Sequence, residues 1–130
     1  MTQPSIRLAF FKLNVPDMAA ALKFYEQAFG FTVTQTFDEP DFLEHIMALP
    51  GQEAGPNLLL VEYKDAREVG VGPGHGPVGF MVDDIDAAFE RAVAAGALVV
   101  LPIFDMDPVR IAMLLDPWGH ELELVQPPAG

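Results

Sequence analysis

Two segments of the chain repeat one pattern, and that repeat constrains the fold more than any other feature. The first reads Phe11-Lys12-Leu13-Asn14-Val15-Pro16-Asp17-Met18, and the second reads Val78-Gly79-Phe80-Met81-Val82-Asp83-Asp84-Ile85. Each opens with alternate apolar residues (Phe11, Leu13, Val15; Val78, Phe80, Val82), the period of a strand with one buried face. Each then reaches an aspartate, Asp17 or Asp84, whose carboxylate can accept a free N–H of a first helical turn. Helical spacing follows. Met18, Ala21, Leu22, Tyr25 and Phe29 make one apolar stripe, and Ile85, Ala88, Phe89 and Ala92 make its counterpart. Gly30 and Gly96 stand where each helix needs a left-handed residue to end.

After each helix come three strand candidates separated by turn residues. In the first half they cover 32–37, 43–48 and 57–63, divided by Asp38-Glu39-Pro40 and Pro50-Gly51. In the second half they cover 97–101, 109–115 and 121–125, with Pro108 before the middle one and Asp116-Pro117-Trp118-Gly119 as the last turn. The chain therefore reads as α+β, a βαβββ module at 6–68, a Gly/Pro-rich connector at 69–77 and a second βαβββ module at 78–126. One module alone would leave a sheet face uncovered, so the pair is expected to fold as a single domain spanning 1–130.

Charge excludes some partners. Asp and Glu outnumber Lys and Arg by 19 to 7, for a formal charge of −12. Such a surface lacks the clustered cations that displace counterions from nucleic acid or hold an anionic membrane. It attracts cationic ligands at long range, and it also serves solubility. With no cysteine, a disulfide framework, a thiolate nucleophile and a thiolate metal site are all ruled out. The stretch from Met1 to Phe11 lacks the pattern of a signal peptide, and the apolar run 93–104 is too short to span a bilayer and is broken by Gly96 and Pro102. A cytoplasmic protein is expected.

The opening "V-P-D-M", a helix with Phe24-Tyr25 and the ending Phe29-Gly30-Phe31 resemble the start of vicinal oxygen chelate proteins, the glyoxalase/bleomycin resistance/dioxygenase superfamily. The second-half "F-M-V-D-D-I-D-A-A" and the terminal "D-P-W-G-H-E-L-E-L" are similar to that family's second module. The resemblance covers residues 6–126 and implies half-barrel sheets around a small-molecule cleft, and a homodimer.

It also implies where a divalent metal would sit: on the first and last strand of each module, held by His, Gln or Glu with positions left open for substrate oxygens. Here those positions fall on Phe10, near Leu60, on Pro77 and on Glu123. Only Glu123 is a ligand type, so no cofactor is expected. A rearranged divalent site is the alternative, with His75 and Glu44 or His45 joining Glu123.

Strand alternation selects the residues that face the cleft. Phe10, Lys12 and Asn14 should face it from the first strand, Gly79 and Met81 from the start of the second module, and Glu121 and Glu123 from the last strand. Lys12 either shares a cavity with Glu123, in a salt bridge or a pair set for acid–base work, or extends to solvent. Glu44 and His45 face opposite ways; Glu44 is the candidate for the cleft because Phe42 and Ile46 alternate with it. Arg110 reads as an anion anchor at the mouth or a solvated cation, and Trp118 as a packed or exposed turn aromatic or a stacking surface for ligand. His120 reads as hydrogen-bonding within the last turn.

Three functions fit. One is a metal-independent protein that binds a cationic or aromatic compound, like the bleomycin resistance branch. Another is a lyase, isomerase or dioxygenase of glyoxalase type, with a rearranged metal site or with Glu123 or Glu44 as general base. The third is an accessory subunit with an idle cleft.

Overall fold

A computed structural model describes residues 4–129. Residues 1–3 and 130 lie outside them, and with them part of the N-terminal stretch read above for a leader. The elements run β1 (Phe10–Asn14), α1 (Met18–Phe29), β2 (Thr32–Asp38), β3 (Phe42–Ala48), β4 (Asn57–Tyr63), β5 (Val78–Met81), α2 (Ile85–Ala95), β6 (Leu98–Met106), β7 (Val109–Leu115) and β8 (Glu121–Gln126). They form two four-stranded sheets, ordered β1-β4-β3-β2 and β5-β8-β7-β6. In each, the first strand pairs parallel to the last, and the other pairings are antiparallel. Both sheets are open rather than closed into a barrel.

Helix signals in the sequence act as expected. Asp17 accepts from Ala20 N–H and Asp84 from Ala87 N–H, each at 3.1 Å. Gly30 and Gly96 end the helices at φ +86° and +121°. A second cap was not visible in the repeat. Met18 N–H donates to Glu62 Oε1 at 2.8 Å, and Ile85 N–H donates to Gln126 Oε1 at 2.7 Å. In each module, a side chain from the end of the last strand thus satisfies the first helical N–H.

The strand β6 runs past Pro102 to Met106, five residues beyond the predicted 97–101. It tolerates proline because it is an edge strand, and its pairing with β7 shifts register between Val99 and Leu101 and again between Leu101 and Phe104.

One face of each sheet packs on the helices. Leu13, Val15, Met47, Leu58 and Leu60 do so in the first sheet, and Ala112, Leu114, Leu122 and Leu124 in the second. The buried face of α1 is wider than its predicted stripe, taking in Phe24 and Ala28, because α1 also meets the second module. There Phe29 stacks on Phe80 with centroids 4.1 Å apart, Phe24 meets Trp118 edge-on, and Arg91 Nε donates to Gln27 O at 2.8 Å. The Tyr25 hydroxyl donates to Asp116 Oδ2 at 2.7 Å across the same boundary. Among the described residues, no helix is long and apolar enough to cross a membrane.

Candidate functional site

The register of each sheet identifies the face that turns away from the helices. In the first sheet Lys12 pairs with Leu59, Asn14 with Val61, Glu44 with Val61 and Ile46 with Leu59, so these residues share the inner face. Phe10, Phe37, Phe42 and Tyr63 lie on it too. In the second sheet Gly79 pairs with Glu123, Glu123 with Met113 and Met113 with Leu101; Met81, Phe104, Ile111 and Val125 form the next row.

Lys12, Glu44 and Ile46 thus face as alternation predicted, and His45 turns to the other side, its Nδ1 2.8 Å from Thr36 Oγ1. Glu44 is the inner face's most enclosed charged group, 8% exposed. Its Oε1 lies 2.8 Å from Lys12 Nζ. Since β4 separates β1 from β3, the Lys12 side chain reaches across Leu59 and Val61 to meet it. Leu59 and Val61 are each only 4% exposed, although they lie on the face opposite the helices. Beside this pair, Phe37, Glu39, Asp41, Phe42 and Glu44 line an open cavity of about 460 Å³. It combines two aromatic rings with three carboxylates, and its walls come from the first module alone.

The Lys12–Glu123 pair, one of the two readings open for Lys12, does not form within one chain. Lys12 is taken by Glu44, and among the described residues the Glu123 carboxylate has neither an ion-pair nor a hydrogen-bond partner. Gly79 on one side of Glu123 leaves open space where a Cβ would stand. Asn14 and Glu121 are exposed on their inner faces, and Met81 is 73% exposed.

Other candidates lie elsewhere. Arg110 binds Asp86 of α2 at 3.1 Å and Asp105 at 3.4 Å, so it is tied to the helix side rather than to a cleft mouth. Its alternation with Ile111 puts it on that face. Trp118 packs edge-on against Phe24 in the core, which leaves it no place beside the inner face. His75 rests edge-on against Phe11, 5.5 Å between centroids. Phe11 shares its face with Leu13, opposite Lys12, so His75 is not brought to Glu44 or Glu123. His120 hydrogen-bonds within its turn as predicted. Its Nδ1 lies 2.7 Å from Asp116 Oδ2, and its N–H donates to Asp116 Oδ1 at 2.9 Å.

Asp116 is the electrostatic centre of that turn, fully buried. Burial alone would raise its pKa, but hydrogen bonds from His120 and Tyr25 and the nearby imidazole hold the carboxyl below the usual carboxylate range. Burial, followed by the charge of Asp116, pushes the Tyr25 phenol far above its ordinary value. These groups bind the modules together and do not reach either inner face.

The residues present do not fit the metal centre that the family resemblance implies. Leu60 is fully buried on the helix side. The register shows why Leu59 is the true counterpart: Lys12 pairs with Leu59 as Gly79 pairs with Glu123. Phe10, Leu59 and Pro77 have no side-chain lone pair to offer, and Pro77 precedes β5. Among the described residues, no three His, Asp or Glu side chains gather as a ligand set.

Comparison with known proteins agrees with this architecture. Residues 7–124 match the family described as "Glyoxalase/Bleomycin resistance protein/Dioxygenase superfamily", and the chain belongs to it. Among its relatives is a lactoylglutathione lyase of Haemophilus influenzae, 30% identical over 124 residues, covering 88% of this chain and 87% of the relative. Another lactoylglutathione lyase, from Neisseria meningitidis, is 26% identical over 129 residues, covering 96% and 94%. Two solved structures share the fold. Glyoxalase I from Zea mays superposes with a TM-score of 0.83 at 22% identity, over 92% of this chain and 45% of that one. TnmS3, an antibiotic binding protein from a Streptomyces species, gives 0.76 at 24%, over 97% and 99%.

Proposed function

We propose that this chain is a metal-independent small-molecule-binding member of the superfamily, taking a cationic or aromatic compound on the inner face of its first sheet. The observation that carries this reading is the makeup of that face. Phe37, Phe42 and Glu44, with Glu39 and Asp41, line one shallow, open cavity, while the family's ligand positions hold Phe10, Leu59 and Pro77. Aromatic faces and carboxylates together favour an organic cation over an anion. The charge of −12 adds a long-range attraction of the same sign. A cytoplasmic location suits a chain without cysteine.

The test is a native mass spectrometry screen of cationic aromatic compounds against the wild type and Glu44→Gln, with metal content measured on the same untagged sample. Binding that weakens in the variant and with added salt supports the reading. Stoichiometric retained metal, or no binding from the whole panel, overturns it.

The relatives named lactoylglutathione lyase favour a second reading, an enzyme of glyoxalase type with Glu123 as general base. Glu123→Gln keeps the shape and removes the base. Lactoylglutathione turnover by the wild type that vanishes in this variant would favour the enzyme.

A further inference from the structure

We propose that Lys12 is the specificity-determining residue of the first-sheet cavity, masking Glu44 from behind and so setting how strongly the cavity takes a cation. This inference rests on the reading of that cavity as a small-molecule site, and it assigns what controls the charge preference there.

The strand order β1-β4-β3-β2 puts Lys12 and the cavity on opposite sides of Glu44. The cavity wall comes from the end of β2, the start of β3 and the turn between them, whereas Lys12 reaches over from β1 across β4. Its ammonium lies 2.8 Å from Glu44 Oε1 without lining the cavity itself. A carboxylate offers about four lone-pair sites, and one ammonium leaves the others free. Glu44 therefore keeps the capacity to meet a ligand while Lys12 offsets its charge.

The surrounding charges make this one pair decisive. Other cations near the rim are already committed: Lys64 is held by Asp38, and Arg67 pairs with Asp65 at 2.6 Å and stacks on Tyr63. Among the described residues, Glu39 and Asp41 have no ion-pair partner, but both are exposed and act through water. Glu44 is the enclosed carboxylate, cross-strand from Phe37 and two residues from Phe42. In that lower-dielectric setting its charge counts most for a ligand in the cavity, and Lys12 governs it.

Lys12 can also yield. Its side chain is 47% exposed against 11% for Glu44, so water solvates the ammonium readily once it leaves. Phe10 offers it a second station, with Nζ 5.6 Å from the ring centroid. A cationic ligand gains the unmasked Glu44 when Lys12 moves off, and an uncharged ligand gains nothing by it. The lysine is thus a built-in competitor that a ligand must match in charge, a selection made by penalising the weaker candidate.

The test is a set of NMR titrations with benzyltrimethylammonium and with uncharged benzyl alcohol, circular dichroism confirming the fold of each variant. In Lys12→Met and Lys12→Gln the affinity for the cation should rise about fivefold or more, with that for the alcohol unchanged. If Lys12→Met fails to fold, Lys12→Gln decides. Lys12→Arg should return the preference toward the wild type, and Lys23→Met, which removes a positive charge from the exposed side of α1, should leave it alone. Because the lysine acts through Glu44, the gain should vanish when Glu44→Gln is already present. An unchanged or lower affinity for the cation in both neutral variants, an equal gain for the alcohol, or a gain that persists without Glu44 overturns the proposal. Cation binding by the wild type that ignores Lys12 sinks this inference alone. Binding only after Lys12 is neutralised supports it and sinks the reading of the wild-type cavity as a cation site, and no binding in any variant sinks both.

Discussion

Tyr25 and Asp116, 91 positions apart in sequence, meet in a fully buried 2.7 Å hydrogen bond that ties the first helix to the last turn. The contact crosses the module boundary, so it holds the two halves of the repeat in one orientation. Tyr25→Phe leaves the ring and removes the donor. Asp116 keeps His120 and the backbone N–H groups of Trp118 and His120, but loses one of its partners. The expected cost is about 1–3 kcal/mol, read as a lower thermal midpoint by circular dichroism. An unchanged midpoint would mean that the aromatic packing alone holds the junction.

The same cluster sets the pH dependence at both extremes. The Asp116 pKa is depressed in the folded state, so its contribution is present above the ordinary carboxylate range and is lost as pH falls through its folded value. The Tyr25 pKa is raised in the folded state, so the phenol stays neutral. Its contribution is present below about 10, where an unfolded tyrosine ionises, and is lost as pH rises above that. Denaturant titrations across pH should show both limbs, with the alkaline limb reduced in Tyr25→Phe and the acid limb reduced in Asp116→Asn.

The Lys12–Glu44 pair should behave asymmetrically. Lys12→Met leaves a nearly buried carboxylate without its cation, whereas Glu44→Gln leaves a half-exposed ammonium that water can solvate. The first change should cost about 1 kcal/mol more than the second, a modest figure because Lys12 is half exposed. Urea unfolding of both singles and of the double measures the difference. Equal costs would show that the pair is worth no more than a surface contact.

Metal exposure should leave little behind. Untagged protein incubated with Ni²⁺, Mn²⁺, Zn²⁺ or Fe²⁺ and desalted should retain well below one ion per chain, and a chelator should not move its thermal midpoint. One carboxylate, with neighbours that lack lone pairs, cannot hold a divalent ion in a specific geometry. A stoichiometric ion would overturn the metal-independent reading and make Glu123 the first ligand to test.

Several inner-face residues were legible because strand alternation is local. Lys12 and Glu44 were assigned to the inner face from the parity of their positions, and the register agrees. Glu44 and His45 were separated by the same rule. At the last strand of the first module the position could be given only as near Leu60, and the register fixes it at Leu59. A one-residue error there moves a side chain to the other face, and nothing local in a fully apolar Leu58-Leu59-Leu60-Val61 run marks the parity. For Arg110 and Trp118, proximity in sequence left a place near the pocket open beside the readings as a solvated cation and a packed or exposed turn aromatic. Their partners, Asp86 and Phe24, sit on helices far along the chain, and those partners turned them away.

The amino-acid sequence by itself determined the two βαβββ modules, the aspartate and glycine caps of their helices and the face to which most strand residues belong. Those features depend on period, turn chemistry and capping, which act over a few neighbouring residues. Only the tertiary structure decided how the modules meet. Helix packed on helix, Tyr25 on Asp116 and Phe29 on Phe80 leave the two inner faces open instead of closing them on one another. That choice separated Lys12 from Glu123 and gave Lys12 to Glu44, because an ion pair forms only between groups that long-range packing brings within reach.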